Sequence, residues 1–232
     1  MIGIIVAIDE EVETLIKNSK VIDIETDNVT KFYHIVIGKQ DVILAKSGAG
    51  KVNASMTVTK IIEKYNLKYI INTGIAGGIG SLKIGSLVIG DSAVYFDVNM
   101  SSHRHKYKYG QVRELPLEFK ANRDLVAKLY KYCDDKSVIS YIGTIATGDH
   151  FVNNLECLKN IIEEIPNITA VDMESAAIAH VCSLNNIPFA LIRVISDIVT
   201  EDYKEDEFAL NINEACTELG KRLIEYISME DE

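Results

Sequence analysis

Short β-branched and aliphatic runs alternate along this chain with segments whose apolar positions recur at helical spacing. "IGIIVAI" at 2–8 is an unbroken apolar run that reads as a buried strand, and it leads into "EEVETLIKN", where Val12, Leu15 and Ile16 share one helical face. "DVILAK" (41–46) passes through glycines into "KVNASMTVTKIIEKY", and "YIINTG" (69–74) runs into a glycine-rich turn. After "GSLVIGDSAVYF" (85–96) comes an irregular region, 97–118, then a helix expected from about Asn122 to Cys133. "VISYIGTIA" (138–146), a helix after Val152, "AVDMESAAIAHVC" and "FALIRVIS" (189–196) continue the alternation. Phe208, Ile212, Ala215, Leu219 and Tyr226 predict a last helix. Such an order predicts an α/β fold, a mostly parallel sheet with helices on both faces. With 47% hydrophobic residues, the 232 residues can bury one sizeable core, so 1–232 is expected to be one domain.

In sheets of this kind ligands bind outside the carboxyl ends of the strands. The unusual residues lie there: Asp9, Glu10 and Glu11 after the first strand, Ser47 to Gly50, Thr73 to Gly78, "TGDHF" at 147–151, and Ser196-Asp197. They share one predicted rim. Its glycines let backbone approach a ligand closely, and its acids can move protons.

A net charge of −10 repels phosphate backbones and anionic lipid, which argues against nucleic acid or a membrane surface as partner. The one basic stretch, "SSHRHKYKYGQVR" (101–113), reads as a solvated loop, with His103 and His105 at the surface and no metal expected. Cys133, Cys157, Cys182 and Cys216 form no C-x-x-C pair and read as reduced thiols of a cytoplasmic protein. "MIGIIVAIDEE" has no basic leader and reads as a strand rather than a signal peptide, and no run is long enough to span a bilayer.

"SGAGKVNAS" (47–55) invites comparison with a P-loop, G-x-x-x-x-G-K-[ST]. Val52 stands where the magnesium-holding hydroxyl belongs and Ala45 where the first glycine belongs, so the phosphate reading is weak. Nor does a G-x-G-x-x-G follow the first strand, as a dinucleotide site would need.

"SGAGKVNAS", "INTGIAGG", "ATGDHFV", "VDMESAAIAHVC" and "RVISDI" together resemble the motifs of bacterial methylthioadenosine/S-adenosylhomocysteine nucleosidases, within the purine and uridine nucleoside phosphorylase superfamily. The resemblance runs from first strand to last helix in the same order. It implies a three-layer α/β/α sandwich around a twisted, partly barrel-like mixed sheet, usually a homodimer. The implied activity is hydrolysis of the bond between adenine and a 5′-thio-substituted ribose, with an adenine nucleoside as partner and no metal or organic cofactor.

Carried over by position, Glu11 matches the water-activating carboxylate and Asp197 the acid that protonates adenine at N7. Glu174 matches the carboxylate that grips the ribose hydroxyls, with Met173 packing under the sugar. Phe151 matches the ring stacked on adenine, and the Val152 backbone the edge that hydrogen-bonds the base. Arg193 and Ser196 match supporting positions near the substrate. Ile75 departs from the pattern, where serine is common, and removes a polar contact near Asp197.

The chemistry suits these residue types. Breaking the bond leaves positive charge on the sugar and negative charge on the base, so a neutral acid at the base and a fixed carboxylate at the sugar both help. Water then needs a base on the opposite face. The rivals are a phosphorylase and a non-catalytic nucleoside-binding domain; phosphate would want positive charge, whereas this chain offers "DEE" and Ile75. Lys51 is expected to open a helix and face solvent or an acid. Residues 97–113 form a longer segment than usual and "YKEDEF" (203–208) a shorter one, with Tyr203, Met100 or Tyr107 as candidates to line the thioalkyl end. Preference among methylthioadenosine, adenosylhomocysteine, 5′-deoxyadenosine and aminofutalosine stays open.

Overall fold

The computed structural model describes residues 1–27, 30–100, 102, 106–199 and 205–229, with the side chains of 205–211 left aside. His103, Arg104, His105, Tyr203 and the side chain of Phe208 lie outside what is described.

One sheet runs through the chain. β1 (Ile2–Val6) is buried at every position, as its unbroken apolar run requires, and pairs in parallel with β4 (Gln40–Lys46) and β5 (Tyr69–Gly78). β2 (Lys20–Asp27) and β3 (Thr30–Ile37) extend the sheet antiparallel beyond β4. On the other side of β5, β10 (Phe189–Ile198) pairs in parallel along its whole length, while β9 (Ile168–Asp172) pairs antiparallel with its last two glycines. β6 (Leu87–Tyr95), with the short β7 (Phe119–Lys120) at its edge, and β8 (Ser140–Thr147) complete a ring, β5–β10–β6–β8–β9, closed on itself. Among the described residues half of the ten strand pairings are antiparallel, so the sheet is mixed, as the resemblance implied, rather than mostly parallel as the alternation alone suggested. Hairpins and a returning β10 produce the reversals, which strand–helix order does not encode.

The helices start where sequence chemistry allows. Asp9, Glu10 and Glu11 occupy the first turn of α1 (Asp9–Lys17), where the amide ends of the helix favour negative charge. Asn122 caps α3 (Arg123–Asp135) by accepting from the N–H groups of Asp124 and Leu125. α1 packs on α6 (Glu205–Met229), and α2 (Lys51–Lys64) packs on α5 (Ser175–Leu184). The two pairs sit on opposite faces: Asn72 of β5 reaches Ser175 on α5, while its neighbour Thr73 borders Cys216 and Leu219 on α6. A 3-10 turn (Leu155–Leu158) and α4 (Lys159–Glu164) follow β8. No described helix is long and apolar enough to cross a membrane.

Candidate active site

At the carboxyl ends of β1, β5 and β10 lies a cavity of about 270 Å³, walled also by the turn before α2, the loop after β8 and the β9–α5 junction. Glu11, Glu174 and Asp197 all line it. So do Ile75, Phe151, Val152, Met173 and Ser196. Arg193 does not.

Glu11 sits at the start of α1 but turns back toward the strand ends. Its Oε2 accepts the N–H of Ala7 (2.7 Å) and of Ile8 (3.2 Å), and Oε1 accepts the N–H of Ile75 (3.1 Å). A side chain at Gly74 would put a Cβ 2.4 Å from Oε1, so glycine at 74 makes room for the carboxylate. Burial pushes Glu11 above the ordinary carboxylate range, opposed by these amides and by the nearby Arg193 charge. The residue is therefore fixed in direction and basic for a carboxylate.

Glu174 stands at the entry to α5 and accepts the Gly50 N–H at 2.8 Å. Burial first, then the neighbouring Asp172, raises it to about 7. Asp197 is brought to the cavity by an irregularity in β10, where the register with β5 shifts between Ile195 and Asp197. Such bulges re-aim a side chain at the end of a strand. Ser196 Oγ donates to Asp197 Oδ1 at 2.7 Å, yet burial still pushes the Asp197 carboxyl up. Three acids with raised proton affinity thus face one space.

Arg193, expected in a supporting position near the substrate, does not reach the cavity: its guanidinium lies beneath it, almost fully buried. Nε and Nη2 donate to Asp172 Oδ2 at 2.9 and 2.7 Å, and Nη2 also donates to Asn72 and to Ser175 Oγ. Those acceptors occupy the guanidinium and leave it beneath the floor. Asp172 borders the cavity while also accepting from Thr147 Oγ1 (2.5 Å) and from the Ser175 N–H that begins α5.

Sequence reading missed Asn72 and Ser175 in the floor and Ile212 in the wall, whereas Ala49, Thr147 and His150 fall within rim segments it named. A small polar residue facing inward on an otherwise apolar strand, as Asn72 does in "YIINTG", was the available signal. Neither Met100 nor Tyr107 lines the cavity, and Tyr107 is buried elsewhere. Lys51 opens α2 and meets acids, Asp97 and Asp149.

Comparisons with known proteins bear on the fold and the family. Residues 1–228 match the model of the phosphorylase superfamily. A 5′-methylthioadenosine/S-adenosylhomocysteine nucleosidase of Staphylococcus haemolyticus (strain JCSC1435) is 36% identical over 98% of this chain and 100% of its own length. The chain belongs to this nucleosidase family. The structure of the Neisseria meningitidis nucleosidase in complex with methylthio-immucillin-A superposes with a TM-score of 0.92, at 30% identity and 98% coverage of both chains. Futalosine hydrolase of Helicobacter pylori superposes with a TM-score of 0.89, at 26% identity, covering 99% of this chain and 97% of that one.

In this member of the nucleosidase family no lysine or arginine is among the described residues lining the cavity. Its walls are aliphatic and aromatic apart from the acids, Ser196 and His150. Among the described residues no group of three or more His, Cys, Asp or Glu side chains is placed to hold a metal. What the arrangement offers is proton transfer at two separate acids and a third, ionisable carboxyl held between apolar surfaces.

Proposed function

We propose that this protein hydrolyses the N-glycosidic bond of 5′-methylthioadenosine and S-adenosylhomocysteine, releasing adenine and the thioribose. One observation carries the reading: Glu11, Glu174 and Asp197, far apart in sequence, border a single cavity that is otherwise mostly apolar. Asp197, whose proton affinity burial raises, gives its proton to N7 so that adenine leaves as a neutral base. Glu174 receives the ribose hydroxyls and, once ionised, steadies the cationic sugar; Met173 lies under that sugar. Phe151 stacks on the base, with Val152 presenting its backbone edge and Ser196 steering Asp197. Glu11, held by three amides, orients and deprotonates the water on the far face. Ile75 contributes its N–H to Glu11 and an aliphatic surface to the wall. Arg193 supports the floor.

The test is to incubate purified protein with methylthioadenosine, with and without phosphate, and to identify the sugar. Free methylthioribose independent of phosphate supports hydrolysis; a requirement for phosphate with a ribose 1-phosphate product would replace it by phosphorolysis. Binding without adenine release would leave a nucleoside-binding domain. The likeness to futalosine hydrolase favours aminofutalosine as a second substrate to assay beside 5′-deoxyadenosine.

The chain is further proposed to act as one domain over 1–232, in the cytoplasm and as a homodimer. Exposed apolar side chains at Val52, Phe151 and Leu155, on segments that border the cavity, support the dimer. Light scattering on purified protein would show a mass twice that of the chain, and a monomer at working concentration would exclude it.

A further inference from the structure

Lys51, the residue that gave the 47–55 stretch its P-loop look, sits at a junction of three segments. Its Nζ lies 2.5 Å from Asp97 Oδ2 and 3.7 Å from Asp149 Oδ2, and 5.4 Å above the Tyr95 ring. Its N–H donates to Asp149 Oδ1 at 2.8 Å. The Asp149 N–H in turn donates to Asp97 Oδ2 at 2.9 Å, which closes a triangle between the end of β6, the turn before α2 and the loop after β8. Each segment is constrained where it joins. Gly50 has φ +94, and a Cβ there would lie 3.1 Å from Asp149; a Cβ on Gly148 would lie 2.6 Å from the Phe96 ring.

Two of these segments carry the site. Gly50 gives its N–H to Glu174, one residue before Lys51, and Asp149 is followed directly by His150, Phe151 and Val152 at the cavity wall. We propose that Lys51, with Asp97 and Asp149, is a positioning clamp that fixes the base-stacking loop and the ribose carboxylate Glu174 relative to each other. This rests on the function proposed above. None of the three is among the described residues lining the cavity, so they act through their neighbours. The lysine is the essential member, because one cation stands between two carboxylates; without it Asp97 and Asp149 repel, and the loops they belong to are driven apart.

The charge arrangement makes a sharp test possible. Lys51→Met should lower kcat/KM for methylthioadenosine roughly 10- to 100-fold, the scale of a small misplacement of a reacting site. The alkaline limb of the pH–rate profile should stay in place, because the clamp does not touch Asp197. Adding Asp97→Asn to Lys51→Met should recover at least about threefold by removing the repulsion, and Lys51→Arg, which keeps the cation, should stay within about threefold of the parent. In the free protein, Lys51→Met should speed hydrogen exchange at the amides of Gly50, Lys51 and Asp149 and weaken binding of adenine.

Unchanged kinetics would overturn the proposal even if exchange rises, since only a structural tie would remain. A double variant no better than Lys51→Met, or a shifted alkaline limb, would overturn it as well. If the parent releases no adenine from any nucleoside, the hydrolase reading fails, and exchange together with adenine affinity then decides the clamp alone.

Discussion

Asp172 in the floor of the cavity and two glutamates in its walls are equally hidden from water and yet differently partnered. Asp172 in the floor is 9% exposed, and Glu11 and Glu174 in the walls are 7% and 8% exposed, so burial cannot separate them. Their partners do. Asp172 faces the Arg193 guanidinium and the Thr147 and Ser175 hydroxyls, a set that neutralises its charge and fills both oxygens. Glu11 accepts hydrogen bonds from uncharged amides only, Glu174 from one amide and Asp197 from one hydroxyl, with the Arg193 charge acting on the two glutamates without a direct contact. Donors without charge fix where a carboxylate points, but they do not cancel its desolvation, and the proton affinity rises. The floor acid is held by a cation and hydroxyls; the wall acids carry raised proton affinity.

Replacing Asp197 by Asn should test that division most severely. The fold and nucleoside binding should persist while kcat falls by about 10²–10⁴-fold, the usual contribution of a positioned acid. Stopped assays of adenine release would measure it, and a variant turning over normally would remove Asp197 from its role. Glu11→Gln should cost a similar or slightly smaller factor. The pH profile of kcat/KM gives each residue its own signature. A base works only when deprotonated, so raised Glu11 should produce an acid-side fall that begins at higher pH than for an ordinary glutamate. An acid works only when protonated, so Asp197 should produce the alkaline fall. Each limb should vanish in its own variant's residual rate.

The floor should respond in the other sense. Arg193→Met leaves Asp172 buried without its cation, a defect of about 3–5 kcal/mol, or roughly 6–20 °C in Tm for a chain of this size. Calorimetry on Arg193→Met beside Asp197→Asn would compare the regions directly. Should the arginine variant keep its Tm and lose only activity, the floor would have to be counted with the walls.

Much of this contrast was readable in the sequence, though unevenly. "IGIIVAI" announced a strand buried on both faces, and Asn122 announced a helix start, because each signal is local. The rim acids were legible because strand–helix order places strand ends together whatever their separation along the chain. The β2–β3 hairpin was not foreseen: Val21, Ile22 and Ile24 are exposed on an edge strand, so no half-buried alternation marks it. Nor could spacing show that Arg193 faces Asp172, 21 positions away, or that Lys51 meets Asp97, 46 positions away. Such pairings are made by strand register, and an arginine in an apolar run near a site reads equally as a ligand contact or as a buried brace.

Glu174 offers the smallest and most diagnostic effect, because it belongs to the wall yet bears on stability. Its folded value is about 7 against 4.5 for the free side chain, so the native state holds its proton more tightly than the unfolded chain does. The stability this contributes is complete below about pH 4.5 and is lost as pH rises through 7. At pH 8 the native protein therefore carries a buried charge with one amide partner. Glu174→Gln cannot ionise, and its amide oxygen can still accept the Gly50 N–H. The variant should melt a few degrees higher than the parent at pH 8, with the gap closing toward pH 5, while KM for methylthioadenosine rises. Parallel Tm curves between those pH values would mean that Glu174 is already neutralised as Asp172 is, and the distinction between wall and floor would fail at that residue.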